Sequence, residues 1–527
     1  MKSYLSKRGY VIEKDSMSCD EINKLRKELV AKPLVDDKYA QAQMNTDFNV
    51  YIETKTKLYI PKMYGIKTFG LPQNIRLNYY GKTWKDIYDN ERFKFNGTLL
   101  ERQIDPVDKL LKACKEKYGG ILNCATGGGK TFMLLYVLSQ LKGKAIIIVN
   151  KIALMKQWED EINQFLPNVS VGILQGQKNV DTTKDITIAM LQSLSRIDYP
   201  DELFNDMNIT VVDEVHNIST ANFSKILFKL CSQYTIGLSA TPKRADGCEY
   251  VFYWHLGDLV LKQEITKMQQ KGLSPIIRAL KIESNDYKQV SITNRYTGQE
   301  TIQFTTMLTE LLDMPKRNKL IVEIIKEMAT KEKRRILVLT DRRNHVMDLK
   351  ALLDQDLSVT FTYGIFIGSM KISDLNLSKS CDVILATTKA FGEGVSEKDL
   401  DTLVLVTPKK FVGHLKTSVK NESGRLEQII GRIFRKTHVE KNPVIIDFQD
   451  FFSVYKHQAA GRNVFYKQHF ASAIFEQQYI NLDNHDIDKI NMSCIETKKT
   501  KHALDPEIKK REQDTNKEHI LNFCMLE

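Results

Sequence analysis

Short apolar runs alternate with amphipathic stretches from about residue 94 onward, and this rhythm constrains the fold more than any other feature of the chain. Ile121-Leu122 leads into a glycine cluster, and Phe132 to Leu141 reads as a helix stopped by Gly143. Ala145 to Val149 is an apolar strand; Leu154, Trp158, Ile162 and Phe165 follow at helical spacing up to Pro167. Ile186 to Met190, Ile209 to Val212 and Thr235 to Leu238 are further strands. Strands apolar throughout and joined by helices belong to a parallel sheet covered on both faces.

After a less regular stretch around 284–312 the rhythm returns. Ile336 to Leu339, Val383 to Leu385, Leu403 to Val406 and Val444 to Ile446 are strand-like, with helical segments between. Phe361, Tyr363 and Phe366 read as the core face of a strand rather than as a base-stacking platform. Upstream, Ser18-Cys-Asp-Glu21 has the capping-box pattern ahead of a short helix ending before Pro33, and Val50 to Ile60 suggests strands. At 527 residues the chain is too long for one core. The expectation is an α/β protein: a small α+β N-terminal accessory domain (1–93), two tandem parallel-sheet domains (94–270 and 271–460) and a C-terminal extension (461–527). The Lys-rich stretch Lys498 to Lys517 reads as a solvated tail.

Hydrophobic content of 42% and charged content of 27% exclude a disordered or fibrous chain. A net charge of +12 fits a polyanionic partner such as nucleic acid and a merely soluble basic protein equally well. The eight cysteines show neither C-x-x-C spacing nor a disulfide framework, which points to reduced thiols inside a cell. The N-terminus has no apolar stretch after its charges, and Ala145 to Val149 is far too short to span a bilayer. No membrane partner is expected.

Between the first strand and its helix lies Cys124-Ala-Thr126-Gly127-Gly128-Gly129-Lys130-Thr131. Consecutive glycines let backbone N–H groups turn around phosphate oxygens, and a helix N-terminus adds favourable field. In such a loop Lys130 would reach β- and γ-phosphates and the Thr131 hydroxyl would hold Mg²⁺. The strict pattern G-x-x-x-x-G-K-[ST] fails at its first position, Cys124. The bland alternative, a glycine-rich turn followed by Lys-Thr, is disfavoured by the strand–loop–helix context. Thr210-Val-Val-Asp213-Glu214-Val215-His216 supplies the partner. A strand delivering Asp213 to its carboxyl end places a carboxylate where Mg²⁺ sits in P-loop enzymes, and Glu214 beside it would orient or deprotonate the attacking water. Adjacent acids after a strand are common surface features. Only the upstream phosphate loop makes them a site.

Together these residues resemble superfamily 2 helicases, whose Asp-Glu-x-His box matches Asp213 to His216. Gln103 resembles the glutamine that reads adenine in that family. Val149-Asn150-Lys151 through Gln157-Trp158 is similar to motif Ia, and Ala189 to Leu194, with Gln192 and Ser193, to the next strand-contacting motif. Gly237 to Gly247, with Arg244-Ala-Asp246, resembles motif III as extended in the XPB-like branch. Leu337 to Asp341 resembles motif IV, and Ala386-Thr387-Thr388 through Gly392-Glu-Gly394-Val-Ser396 resembles motif V. The commoner motif V carries Asp where Ser396 stands; the serine form is similar to phage UvsW-type helicases. Gln428-Ile-Ile-Gly431-Arg432-Ile-Phe-Arg435 matches motif VI throughout. Lys57 to Gly65 also resembles helicases of large DNA viruses, the poxvirus transcript-release type included. The resemblance covers roughly residues 95 to 448.

The resemblance implies two RecA-like domains with ATP between them. The first would hold it through Gln103, Thr126, Gly127, Gly128, Gly129, Lys130, Thr131, Asp213, Glu214 and His216; the second through Gly394, Gln428, Arg432 and Arg435. Lys130, Glu214, Arg432 and Arg435 would be catalytic, and Thr131 and Asp213 would hold Mg²⁺. A helix from about Asn421 to Phe434 is expected to carry Arg432, with positions 428, 432 and 435 on one face. Asn150, Lys151, Gln192, Ser193, Thr387 and Gly392 would contact a nucleic-acid strand without reading its sequence. By the same resemblance the chain is an ATP-dependent DNA helicase or translocase, monomeric and moving 3′→5′. It would act on single-stranded, forked or duplex DNA or an RNA–DNA hybrid, alongside transcription or replication machinery. If viral, it would lie in the host cytoplasm, a viral factory or the virion. An RNA helicase with the same core, and a remodelling factor using ATP only as a switch, are the rivals. Intact Lys130, Glu214, Arg432 and Arg435 argue against the second.

Overall fold

The computed structural model describes residues 1–34, 47–76, 91–124, 128–218, 220–239, 244, 246–260, 273–293, 298, 300–368, 370–391, 399–409, 426, 429–434, 438–470 and 472–483. The first large sheet comprises β1 (Gly119–Asn123), β2 (Ala145–Val149), β3 (Val171–Gln175), β4 (Asn179–Val180), β5 (Ile186–Met190), β6 (Ile209–Asp213) and β7 (Tyr234–Ser239). Their spatial order is β4-β3-β5-β2-β6-β7-β1, all parallel except β4, which runs antiparallel on β3. Every residue of β2 is buried because successive side chains enter different cores. Ile147 and Val149 pack with Met133, Leu134 and Leu138 of α2 (Lys130–Leu141) and Trp158 and Ile162 of α3 (Ile152–Phe165). Ile146 and Ile148 pack with Leu227, Phe252 and Leu256 on the other side.

Strand order places the site. From β1 the chain passes through α2 and enters the sheet again at β2, leaving two places that β6 and β7 fill later. The carboxyl ends of β1, β7 and β6 thus lie side by side, with Leu238 opposite both Leu122 and Asp213. In open parallel sheets such a switch in strand order opens the crevice that takes ligands.

The second large sheet contains β8 (Ile276–Glu283), β9 (Ile336–Thr340), β10 (Tyr363–Phe366), β11 (Val383–Thr387), β12 (Thr402–Leu405), β13 (Val444–Asp450) and β14 (Ile474–Asn481). It is parallel throughout, in the order β10-β11-β9-β12-β13-β8-β14. Two buried ion pairs fix its carboxyl edge. Arg317, on the helix Pro315–Thr330, forks onto Asp450 at 2.8 and 2.9 Å and donates to the Val406 carbonyl at 2.6 Å. Arg462, on the helix Ser453–His469, meets Asp447 at 2.9 Å and donates to the Lys409 carbonyl at 2.8 Å. This helix and β14 lie at or beyond the boundary that the sequence suggested at 460. The lobe therefore extends to residue 481, because Arg462 is bound to the strand and β14 pairs with β8 along eight residues.

The N-terminal region is α+β. Ser18 caps the helix Cys19–Glu28 reciprocally with Glu21, as the capping-box spacing predicts, and a mixed sheet carries Ser3–Ser6, Gly9–Glu13, Ile52–Glu53, Lys57–Ile60 and Asn74–Ile75. Arg92 and Phe93, assigned to this domain from sequence, belong with the first lobe: Arg92 pairs with Asp185 at 2.8 Å and Phe93 enters the lobe's core. Lys62 joins the two regions. Its amine is 2% exposed and donates to the carbonyls of Tyr118, Ser232 and Gln233 at 2.9, 3.1 and 3.1 Å. Burial pulls it from its ordinary 10.5 down to about 8. Lys62→Met would strip three buried carbonyls of their donor and cost about 1–3 kcal/mol, read from urea midpoints. The pH dependence has a definite sign. Between pH 8 and 10.5 the unfolded chain holds a proton that the folded chain has lost, so this group's contribution rises with pH. The stability gap between wild type and variant should widen across that window; a constant or shrinking gap contradicts the assignment.

Candidate active site

Helix α2 starts directly at Lys130, and Gly129 before it sits in the left-handed region at φ 84°. A Cβ there would come within 2.4 Å of the Gln103 amide nitrogen, so only glycine fits. Gln103, on the helix Glu101–Lys117, donates to the Gly128 carbonyl at 3.2 Å while its oxygen accepts from the Leu100 N–H at 3.0 Å. Thr131 occupies the second helical position. Thr126 and Gly127 lie outside the described residues.

Two strands away in the sheet, β6 ends at Asp213. Glu214 turns the chain sharply at φ 50°, a left-handed conformation unusual for a residue with a side chain. That turn brings its carboxylate to 3.3 Å from the Lys130 amine and 3.5 Å from the His216 imidazole. Burial pushes Glu214 up, but Lys130, His216 and Arg432 together pull it below the ordinary carboxylate value. Asp213 moves the other way, to about 6, because burial and the Glu214 charge outweigh Lys130. Lys130 is raised: desolvation would lower it, but Glu214 and Asp213 more than offset that. The site is thus an amine held among two carboxylates at the mouth of a glycine turn, the donor set that a phosphate–Mg²⁺ pair requires.

Arg432 brings the second lobe to this place. It is buried, and its charge acts on Glu214. The helix expected to run from 421 to 434 is interrupted here: residues 431–434 form turns with i→i+3 bonds, Arg432 N–H to the Ile429 carbonyl and Ile433 N–H to the Ile430 carbonyl. Tight turns of this kind are frequent where a helix ends, and Gly431 is a poor helix interior residue. Arg435, Gln428, Gly394 and Gly392 lie outside the described residues.

Comparison with known proteins places helicases among the chain's relatives. Residues 96–244 match the family described as type III restriction enzyme, res subunit. A protein of Acanthamoeba polyphaga mimivirus named as an ATP-dependent RNA helicase is 29% identical over 472 residues, 89% of this chain and 86% of its own. A protein of African swine fever virus carrying the same description is 25% identical over 427 residues, 75% of this chain and 79% of its own. A fragment of an HsdR subunit of a type I restriction enzyme from Vibrio vulnificus shares the fold, with a TM-score of 0.51 at 16% identity over 76% of this chain and 72% of that one. The chain is thus similar to superfamily 2 helicases. It is an ATP-hydrolysing enzyme whose relatives belong to large DNA viruses, built on two tandem RecA-like lobes. None of the described helices is long and apolar enough to cross a membrane.

The chain places its expected strand-contacting residues unevenly. Asn150 follows β2, and its carbonyl accepts from the Gln192 side chain at 2.9 Å, so these two come together at the carboxyl edge; Lys151 caps α3 beside them. The hydroxyls of Ser193 and Thr387 turn inward instead. Ser193 accepts from the Gly176 N–H at 2.9 Å, and Thr387 faces the Ala390 N–H at 3.4 Å; both residues are buried. A hydroxyl just past a strand finds a local backbone donor more readily than an external phosphate, and these two brace turns.

Sequence reasoning placed Trp158 at the end of the motif Ia-like stretch but gave it no role at Asp213. It reads as an apolar core position of α3, and it is 1% exposed, but its indole N–H donates to Asp213 at 2.9 Å. A second donor, the Glu214 N–H, reaches the other Asp213 oxygen at 2.9 Å. The carboxylate expected to hold Mg²⁺ is therefore oriented by an indole from the neighbouring helix. Trp158→Phe keeps most of the packing and deletes that donor. The Mg²⁺ concentration giving half-maximal ATPase should rise by about 10-fold, as for a hydrogen bond to a charged group; an unchanged requirement would remove Trp158 from this role.

Proposed function

We propose that this helicase couples ATP hydrolysis to movement along DNA, separating strands with 3′→5′ polarity. The observation that carries the proposal is the approach of Lys130 to Glu214 at 3.3 Å, with the charge of Arg432 from the second lobe acting on the same carboxylate. In this reading the glycine turn and Lys130 bind the β- and γ-phosphates of ATP, and Gln103 meets the adenine. Thr131 and Asp213 would hold Mg²⁺, which when bound neutralises charge on the phosphate oxygens. Glu214, ionised at neutral pH, orients a water and accepts its proton as the oxygen attacks the γ-phosphorus and the bond to the β-phosphate oxygen breaks. Arg432 offsets the charge that spreads over the γ-phosphoryl oxygens, a contribution worth roughly 10³–10⁵ in rate where an arginine finger is supplied.

Closure of the lobes on ATP and reopening after hydrolysis would step the chain along a strand lying over Asn150, Lys151 and Gln192. Separating one DNA base-pair step costs roughly 0.6–2.2 kcal/mol, which one hydrolysis per short step can meet. The extended motif III at Arg244-Ala-Asp246, the motif V serine at 396 and the restriction-enzyme family match favour DNA. RNA is the second reading, favoured by the RNA-helicase names of the mimivirus and African swine fever virus proteins. Transcript release, replication or recombination in a viral setting would each employ such a motor.

Two measurements test this. Lys130→Ala and Glu214→Gln should each lower ATPase kcat by about 10²-fold or more and abolish strand displacement. Unimpaired displacement by Glu214→Gln would rule out the motor. ATPase stimulation by single-stranded DNA, forked DNA, RNA–DNA hybrid and RNA, with displacement on the same substrates, then decides the polymer: stimulation by RNA alone replaces the DNA reading with the RNA one.

A further inference from the structure

The turn at Glu214 is gripped from its far side by a residue that reaches the site only through the backbone carbonyl of His216. Arg244 donates through Nη1 to the His216 carbonyl, two residues past Glu214. Its Nε and Nη2 fork onto Asp246 at 2.8 and 2.5 Å. Arginine suits this place because its planar donors reach a carboxylate and a carbonyl at once; a lysine ammonium does not fork. Asp246 also accepts from the Cys248 N–H at 3.1 Å, which fixes the start of the helix Glu249–Leu256. Gly247 between them takes φ 69°.

The N-terminal domain clasps this same turn. The Leu34 N–H donates to the Asp246 carbonyl at 2.9 Å, and the Lys32 N–H donates to the Tyr250 hydroxyl at 2.9 Å. Leu34 covers Gly247 so closely that a Cβ there would lie 3.1 Å from its Cδ1. Behind the hydrogen bonds, Ala31 and Val50 share a small buried cluster with Cys248 and Val251. A continuous path of hydrogen bonds thus runs from Leu34 through Asp246 and Arg244 to the His216 carbonyl, two residues past Glu214.

We propose that the N-terminal domain sets the position of Glu214 through Arg244 and Asp246, so that loosening residues 32–34 slows ATP hydrolysis without weakening ATP binding. The physical reason is the Glu214 backbone. A non-glycine residue in the left-handed region costs about 1–3 kcal/mol and persists only where its surroundings enforce it. Asp213, Lys130 and His216 hold the near side; the His216 carbonyl is the far anchor, and Arg244 is what holds it. Arg244 is a positioning residue, and the N-terminal domain acts on the site through it.

This inference rests on the ATPase reading, and its test keeps the two apart. In the full chain, Tyr250→Phe and Leu34→Pro each delete one clasp hydrogen bond outside the nucleotide site. Glu53→Gln, which breaks the Arg26–Glu53 pair within the N-terminal sheet region, serves as the control. Nucleic-acid-stimulated kcat should fall about 2- to 10-fold in the clasp variants, the rate equivalent of one hydrogen bond, with the KM for ATP within about twofold. Glu53→Gln should keep the wild-type kcat. Leu34→Pro combined with Arg244→Lys should be no slower than Arg244→Lys alone, since both cut the path through Asp246. Tyr250→Phe retains the ring against Trp254 and reports even where Leu34→Pro lowers the Tm. Wild-type kcat in Tyr250→Phe, independent multiplication of the two effects, or an equal loss in Glu53→Gln overturns the inference. A wild-type chain that hydrolyses no ATP overturns the reading beneath it.

Discussion

A left-handed backbone at Glu214 is the constraint on which the nucleotide site depends. It bends the chain at the carboxyl end of β6 so that one carboxylate faces Lys130 while the preceding one, Asp213, faces the indole of Trp158. Neither orientation follows from the strand alone, because consecutive residues of a strand point to opposite sides. The conformational cost is met locally by charge: Lys130 is drawn to the acids strongly enough that its amine holds its proton despite burial. Two helices, through Lys130 and Trp158, and the turn carrying Arg244 converge from different parts of the chain to keep one dipeptide in place.

The second lobe has a corresponding rigidity, achieved by different means. Asp447 and Asp450 stand on one strand, and each is paired with a fully buried arginine from a covering helix. Both arginines spend a further donor on carbonyls of residues 406–409, directly after β12. Buried pairs of this kind add little net stability relative to apolar packing, but removing either partner is costly, so they fix geometry more than they add strength. Lys409 extends the arrangement by meeting Asp341 at 2.9 Å, after β9. The ends of β9, β12 and β13 are locked to one another, as a lobe that moves as one piece requires.

Much of this was legible beforehand. Ala145–Val149 and Ile186–Met190 coincide with their expected bounds because central parallel strands are apolar on both faces and stop abruptly. The glycine turn and the acids stand out by chemistry that allows few substitutes, and Gln103 only by family resemblance. Edge strands were harder: β14 reads Ile-Phe-Glu-Gln-Gln-Tyr-Ile-Asn, too polar to distinguish from a tail until its pairing with β8 is seen. Trp158 was hidden because helical periodicity reports which face is buried, not where a single N–H within that face points. Ser193 and Thr387 show the opposite limit, since a hydroxyl's partner depends on which backbone donor stands nearest.

The Lys62 amine, with its three carbonyls, has a consequence for how the molecule comes apart. Around it the cores are shared: Cys231 and Trp254 of the first lobe pack among Leu5, Tyr10 and Leu58, and Cys248 and Val251 close over Ala31 and Val50. Neither side owns a complete apolar interior at this seam. The N-terminal residues 1–34 and 47–76 and the lobe they cover are therefore one cooperative unit, melting in a single transition. A fragment beginning after them would carry a raw hydrophobic scar prone to self-association.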